Sequence, residues 1–363
     1  MKKFGHFCEA AIHTVLFFSA VLPIGLSGES GGATDPLTVK VVIVALNEKG
    51  AYTGDRPGEF QFWVERLPLD TEFRNPHGFR SIRANLDMGV IGTVTGVGTA
   101  RSAASVMALG TDPRFDFTRA YWLVAGVSGV DPEDCSVGSA VWAEWIIDGD
   151  IAHEIDPREI PEDWSTGYTP LRTPTPYFQP RRADNEGAAF QLNQGLVEWA
   201  YQLTRGTSLA DNDNLRGMRA TYTGYPNAQR PPFVLKGDTM SALTFWHGKM
   251  MTDWANEWTK YWADEDANFV TSAMEDTGVL TSLWFLSRSG KIDLKRVLVL
   301  RTASNYTMQH PGITAAQSLA GETKEHFSAY VPALESAYGV GSRVVRELVA
   351  GWEEYADHMP GQP

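Results

Sequence analysis

Four short stretches of this 363-residue chain carry residue types able to do chemistry. Two are glycine clusters, Gly96-Val97-Gly98 and Ala125-Gly126-Val127-Ser128-Gly129. Gly96 and Gly98 let backbone N–H groups approach a ligand, and a helix N-terminus just after them favours an oxyanion or a hydroxyl-rich group; a close strand-to-helix crossing uses the same glycines. The third is Met274-Glu275, an acid opening an apolar helix, where the helix dipole alone favours a carboxylate. The fourth is Ser304-Asn305 at the end of an apolar run, facing either a ligand or only its own strand end. Two further carboxylates, Glu59 and Glu48, lie at the mouth of the first strand, as a base or as solvated loop charges.

Periodicity predicts the elements that hold these groups. The β-branched run at 38–46 reads as a central strand buried on both faces. Residues 91–95 read as a strand, followed by the glycine turn and a helix carrying Ala100, Ala103, Ala104, Met107 and Ala108. After the breaker Thr111-Asp112-Pro113 comes a second strand at 121–124. This is one βαβ unit, and it places both glycine clusters just beyond the carboxyl ends of neighbouring parallel strands, where open α/β sheets bind ligands. Strands are also expected at 137–148, 232–238 (ending in a Gly237-Asp238 turn), 268–271 and 297–306, and helices at 59–64, 188–203, from 239 onward and over 315–356. Residues 211–230 read as polar turns. The proline-rich loop 164–180, with Trp164, Tyr168, Tyr177 and Phe178, suits a lid or a subunit contact.

Composition narrows the function. With 43% hydrophobic and 21% charged residues the chain is an ordinary globular protein, and a net charge of −13 repels polyanions, so nucleic acid is not an expected partner. Lys2 and Lys3 precede an apolar run at 12–22 and small or polar residues at 25–33, the layout of a secretory signal. The expected organisation is a leader at 1–30 and one domain over 36–363, exported to the periplasm or the exterior. Only Cys8 and Cys135 occur, so the mature chain needs no disulfide. No other apolar run approaches the roughly 20 residues of a membrane span. The eight histidines show no HxxxH or HxH spacing, and no metal site is expected.

Taken in order, these segments resemble the nucleoside phosphorylase and nucleosidase superfamily, most closely its purine nucleoside permease branch. The resemblance rests on the strand at 39–46, Gly96-Val97-Gly98, residues 125–132, Gly237-Asp238, Met274-Glu275 and Arg301-Thr302-Ala303-Ser304-Asn305, with residues 159–168 as a mark of the branch. It implies an α/β fold, three α/β/α layers around a mixed, twisted central sheet, with a purine nucleoside at the strand ends and a homo-oligomer that often completes the site. Carried over by residue, Glu275 holds the ribose hydroxyls, Met274 lies beside the sugar and Asn305 meets the N7 side of the purine. Thr95, Gly96, Gly98, Thr99, Arg101, Gly126, Val127, Ser128, Gly129 and Met240 supply further ligand contacts. Many relatives have aspartate at the Asn305 position; asparagine donates a hydrogen bond but no proton, which suits 6-oxopurine nucleosides better than 6-aminopurine ones. The first loop lacks a familiar phosphate-binding arrangement, so Glu59, or failing it Glu48, is the candidate that positions water. The resemblance thus implies cleavage of the N-glycosidic bond, with hydrolysis favoured and phosphate kept as a possible co-substrate. The alternative is a non-catalytic periplasmic nucleoside-binding protein serving transport. No other cofactor is implied.

Overall fold

Among the residues described by the computed structural model (35–181, 187–324 and 329–362), ten strands pair into one mixed sheet. In chain order they are β1 (Val41–Ala45), β2 (Thr71–Phe73), β3 (Ile82–Asn85), β4 (Val90–Val94), β5 (Tyr121–Val130), β6 (Ala140–Asp148), β7 (Ala189–Gln191), β8 (Val234–Ser241), β9 (Phe269–Ala273) and β10 (Val297–Tyr306). Their order across the sheet is β7-β6-β8-β9-β5-β1-β4-β3-β2, and β10 closes a ring by pairing with both β5 and β6. Five strands, β5, β10, β6, β8 and β9, therefore hydrogen-bond round in a circle. Two of its five ladders are antiparallel, β9 with β5 and β10 with β6.

Every residue of β1, β4 and β10 is buried. A strand buried throughout must be covered on both faces, which explains the near-continuous Val/Ile/Leu runs. The α-helices before residue 351 are α1 (Gln61–Arg66), α2 (Thr99–Gly110), α3 (Gln194–Thr204), α4 (Asp213–Thr221), α5 (Lys249–Trp262), α6 (Asp276–Arg288), α7 (Ala315–Lys324) and α8 (Tyr330–Ala350). In α8 a Cβ on Gly341 would meet Trp63, Leu123 and Leu300, so only glycine lets this helix lie so close to β5 and β10. The result is the mixed α/β layering expected, and Pro36–Pro363 form one unit. The leader expected at 1–30 lies outside the described residues.

Several elements differ from the sequence expectation. The second glycine cluster does not lie beyond its strand, because β5 runs unbroken to Val130 through Gly126 and Gly129. Nor are β4 and β5 neighbours; β1 lies between them, parallel to both. Likewise β8 continues through Gly237-Asp238 to Ser241, with a register shift there rather than a chain reversal. A Cβ on Gly237 would fall 2.2 Å from Val270, and the Asp238 carboxylate accepts the Trp145 and Asn268 N–H groups. Both glycine motifs thus serve close strand packing. Residues 189–191 form an edge strand ahead of α3, which starts from an Asn193 cap. The stretch read as polar turns contains α4, capped by Asn212, and the helix expected from 239 begins at Lys249.

Candidate active site

Three strand ends bring the acids together. After β1 the chain loops out and returns at Glu59, just before α1. The Glu59 carboxylate reaches back to the end of β1, accepting Leu46 N–H at 3.0 Å and Asn47 N–H at 2.8 Å, and across to β5, accepting Val127 N–H at 2.8 Å. Gly126 permits this, since a Cβ there would sit 2.8 Å from Glu59 Oε1 and 2.9 Å from Arg301 Nη1. Because β9 runs antiparallel to β5 with Ser272 opposite Gly129, the chain leaving β9 returns toward Val127, and that is where Glu275 lies.

Glu275 occupies the cap position of α6 yet makes no side-chain cap bond. Its carboxylate turns instead to the first glycine turn, taking Gly98 N–H at 3.4 Å, with Met274 N–H at 3.3 Å and Arg301 Nη2 at 3.2 Å. Gly98 has φ +95°, a conformation that favours glycine, and it aims this N–H from the N-cap position of α2.

Arg301, 1% exposed in the middle of β10, is the centre of the cluster. Its Nε donates to Asp276 Oδ1 at 3.2 Å, its Nη2 to Asp276 Oδ2 at 2.8 Å and to Glu275, and its Nη1 to the Val127 carbonyl at 3.0 Å. One guanidinium therefore faces three buried carboxylates, Glu59, Glu275 and Asp276. Burial pushes the Glu59 carboxyl up to about 7, with Arg301 pulling the other way and Glu275 adding to the rise. Burial likewise raises Glu275, against the pull of Arg301. For Arg301 burial disfavours the charge, but Asp276, Glu275 and Glu59 outweigh it.

A carboxylate oxygen offers two acceptor positions. Oε1 of Glu59 and Oε1 of Glu275 each accept one protein hydrogen bond, so each keeps a place for a ligand hydroxyl or a water. Glu48 differs. It accepts four backbone N–H groups, from Lys49, Gly58, Phe60 and Gln61, and so pins the first loop to the start of α1. Of the two carboxylates at the first strand, Glu59 is the one with capacity to spare.

The amide end lies further along β10. Asn305 follows Arg301 by four residues, roughly 13 Å of extended strand, shortened by a register shift between Ala303 and Asn305. Its Oδ1 accepts Ser304 Oγ at 3.1 Å and its Nδ2 donates to the Tyr306 carbonyl at 3.2 Å. Ser304 Oγ also donates to the Ser128 carbonyl, and a Cβ on Gly129 would lie 3.2 Å from Asn305 Nδ2. Asn305 lines a cavity of about 680 Å³ with Ser304, Met218, Tyr222, His310 and Gln317. Glu59 and Glu275 are not among the residues lining that cavity; Val127-Ser128-Gly129 is the backbone that joins the two.

The remaining sequence candidates are dispersed. Thr95 is buried, donating to the Gly96 carbonyl, and Thr99 begins α2 half-buried. Arg101 is exposed and folds back onto the Val97 carbonyl at 3.0 Å. Met274 is half-buried beside Glu275, whereas Met240 is fully buried in a second core with Ile147, Trp246 and Trp258. Among the described residues no group of three His, Cys, Asp or Glu side chains could hold a metal ion. Sequence reasoning gave no role to Arg301 or Asp276. The available signal was a lone charged residue inside an otherwise uncharged ten-residue strand, which must be paired when buried.

The pattern of the purine nucleoside permease (NUP) family matches residues 38–360. A Schizosaccharomyces pombe protein described as a probable purine nucleoside permease is 27% identical over 282 residues, 76% of this chain and 80% of its own. The purine nucleoside permease of Candida albicans is 24% identical over 263 residues, 72% of this chain and 64% of its own length. Among solved structures, the 5′-methylthioadenosine/S-adenosylhomocysteine nucleosidase of Neisseria meningitidis, in complex with methylthio-immucillin-A, is 14% identical with a TM-score of 0.49, over 86% of this chain and 99% of its own. The futalosine hydrolase of Helicobacter pylori is 15% identical with a TM-score of 0.49, over 85% of this chain and 98% of its own. With the family pattern spanning nearly all of the described sheet and every group of the carboxylate–arginine cluster, the chain belongs to the purine nucleoside permease family.

Proposed function

We propose that the chain hydrolyses the N-glycosidic bond of a purine nucleoside. The observation that carries this is the pair of buried carboxylates with spare acceptor positions, Glu59 held by backbone N–H groups of β1 and β5 and Glu275 held by Arg301 and the Gly98 N–H. Glu275 accepts ribose hydroxyls and steadies the positive charge that develops on the sugar as the bond stretches. Glu59, held near neutrality by burial, takes a proton from water as the water oxygen bonds to C1′. The C1′–N9 electron pair leaves with the base, which takes up a proton from solvent while Glu59 returns its own to solvent, and Asn305 donates a hydrogen bond to the purine at the cavity wall. The cavity is within the usual size of small-ligand sites, about 300–1,000 Å³, and Tyr222 and His310 line it.

Phosphate is the poorer nucleophile for this site, because Arg301 is already outnumbered by carboxylates. The permease name of the relatives supports a second reading, a nucleoside-binding protein that feeds a transporter. No helix among the described residues is long and apolar enough to cross a membrane. Incubation with inosine, guanosine, adenosine and uridine, with and without phosphate, tests the proposal. Free base without phosphate supports hydrolysis, and base only with phosphate refutes it. No base, with a nucleoside-dependent rise in melting temperature, favours the binding reading. Export through residues 1–30 and self-association are part of the proposal. Half-exposed Phe79 and Leu243 stand over Gly96 and Gly98, where a second copy could cover them. Fractionation of expressing cells and light scattering test the two.

A further inference from the structure

We propose that Asp276 is a specificity-determining residue that reserves the site for water by occupying the guanidinium that would otherwise hold a phosphate. Asp276 is the first residue of α6, where the free backbone N–H groups and the dipole of the helix give a carboxylate a ready local use. Its side chain, with no exposed surface, instead grips Arg301 through Nε and Nη2. Guanidinium has five N–H donors. Two go to Asp276, one to Glu275 and one to the Val127 carbonyl, so the fork with which arginine clasps an oxyanion is spent on Asp276.

Charge points the same way. With Glu59 ionised, three buried carboxylates surround one cation, a field that repels a phosphate dianion and leaves neutral water as the nucleophile. Without the Asp276 charge, Arg301 keeps its hydrogen bonds to Glu275 and the Val127 carbonyl and has two donors free. A phosphate oxygen bound there could then form the bond to C1′ as the C1′–N9 bond breaks. The electron pair would leave with the base, which takes up a proton, and the sugar product would be ribose 1-phosphate. This assignment rests on the hydrolytic reading above, but phosphate binding can be measured without turnover.

The test follows base release from inosine, and melting temperature against inorganic phosphate or chloride at equal ionic strength. The wild type is expected to ignore phosphate in both. Asp276→Ser, which removes the charge without setting an amide donor against Arg301, is expected to bind phosphate at least about tenfold more tightly and to form ribose 1-phosphate. Asp276→Glu keeps the charge and is expected to remain indifferent to phosphate, an outcome that a merely structural ion pair does not predict. Phosphate binding by the wild type overturns the proposal, as does a folded Asp276→Ser that ignores phosphate while the wild type hydrolyses inosine. If the wild type releases no base, the hydrolytic reading falls, and the phosphate comparison still decides the role of Asp276. Should Asp276→Ser fail to fold, Asp276→Asn carries the same comparison, with the same outcome required.

Discussion

Replacing Glu59 by glutamine should stabilise the chain at alkaline pH while removing its chemistry. Burial raises the Glu59 carboxyl from 4.5 to about 7 in the folded state. Between those values the folded chain holds a proton that the unfolded chain has released, so stability falls as pH rises through this window. That rise corresponds to about 3 kcal/mol lost above pH 7, most of it between pH 5 and 8. Glutamine carries no charge to desolvate. Its oxygen can keep the Leu46 and Asn47 N–H groups, but its NH₂ then opposes the Val127 N–H and costs about 1–2 kcal/mol. The net expectation is a variant about 1–2 kcal/mol more stable than wild type at pH 8 and less stable at pH 5, with base release reduced by about 10²–10⁴-fold. Urea unfolding of both proteins at the two pH values, beside inosine turnover, measures this. A Glu59→Gln that is destabilised equally at pH 5 and pH 8 would refute the claim that burial raises the Glu59 carboxyl to about 7.

Three further substitutions probe the other groups. Arg301→Met leaves Glu275 and Asp276 buried without their cation, and a loss of about 3–5 kcal/mol is expected in urea unfolding; a loss under about 1 kcal/mol would mean that the ion cluster does not hold the site together. Gly98→Ala forces a side chain into φ +95°, at an expected cost of about 1–3 kcal/mol, and weakens nucleoside binding by shifting the N–H that meets Glu275. Because the Cβ also approaches Leu243 Cδ1 at 2.6 Å, the double variant with Leu243→Ala separates backbone strain from the clash, and full recovery would show that the clash alone mattered. Asn305→Asp supplies a proton donor at the base, and the rate on adenosine relative to inosine is expected to rise about tenfold or more; an unchanged ratio would remove Asn305 from the base site.

Much of the frame was legible because it depends on local pattern. The run Val297–Tyr306 is a strand from end to end, and the turn between β4 and α2 needs glycine at Gly96 and Gly98 for its positive φ. Glycines deeper in the sheet misled, since Gly126 read as lying beyond the end of its strand and Gly237 as a turn, but they exist to admit Glu59, Arg301 and Val270 against the backbone. Strand order was not legible at all. Nothing local tells that β1 separates β4 from β5, or that β9 runs antiparallel to β5 and so returns Glu275 to Val127. For the same reason the sequence kept Glu48 as a substitute for Glu59. Only the fold shows Glu48 saturated by backbone N–H groups and Glu59 shared between two strands.

The pH dependence of kcat/KM for base release tests the central claim most directly, because it reports the groups that titrate in the free protein. Glu59 as the base predicts a rate that climbs through an acid limb with a midpoint near 7 and then levels, with that limb absent from any residual activity of Glu59→Gln. A profile flat from about pH 5 to 9, or the same limb surviving in Glu59→Gln, would contradict it.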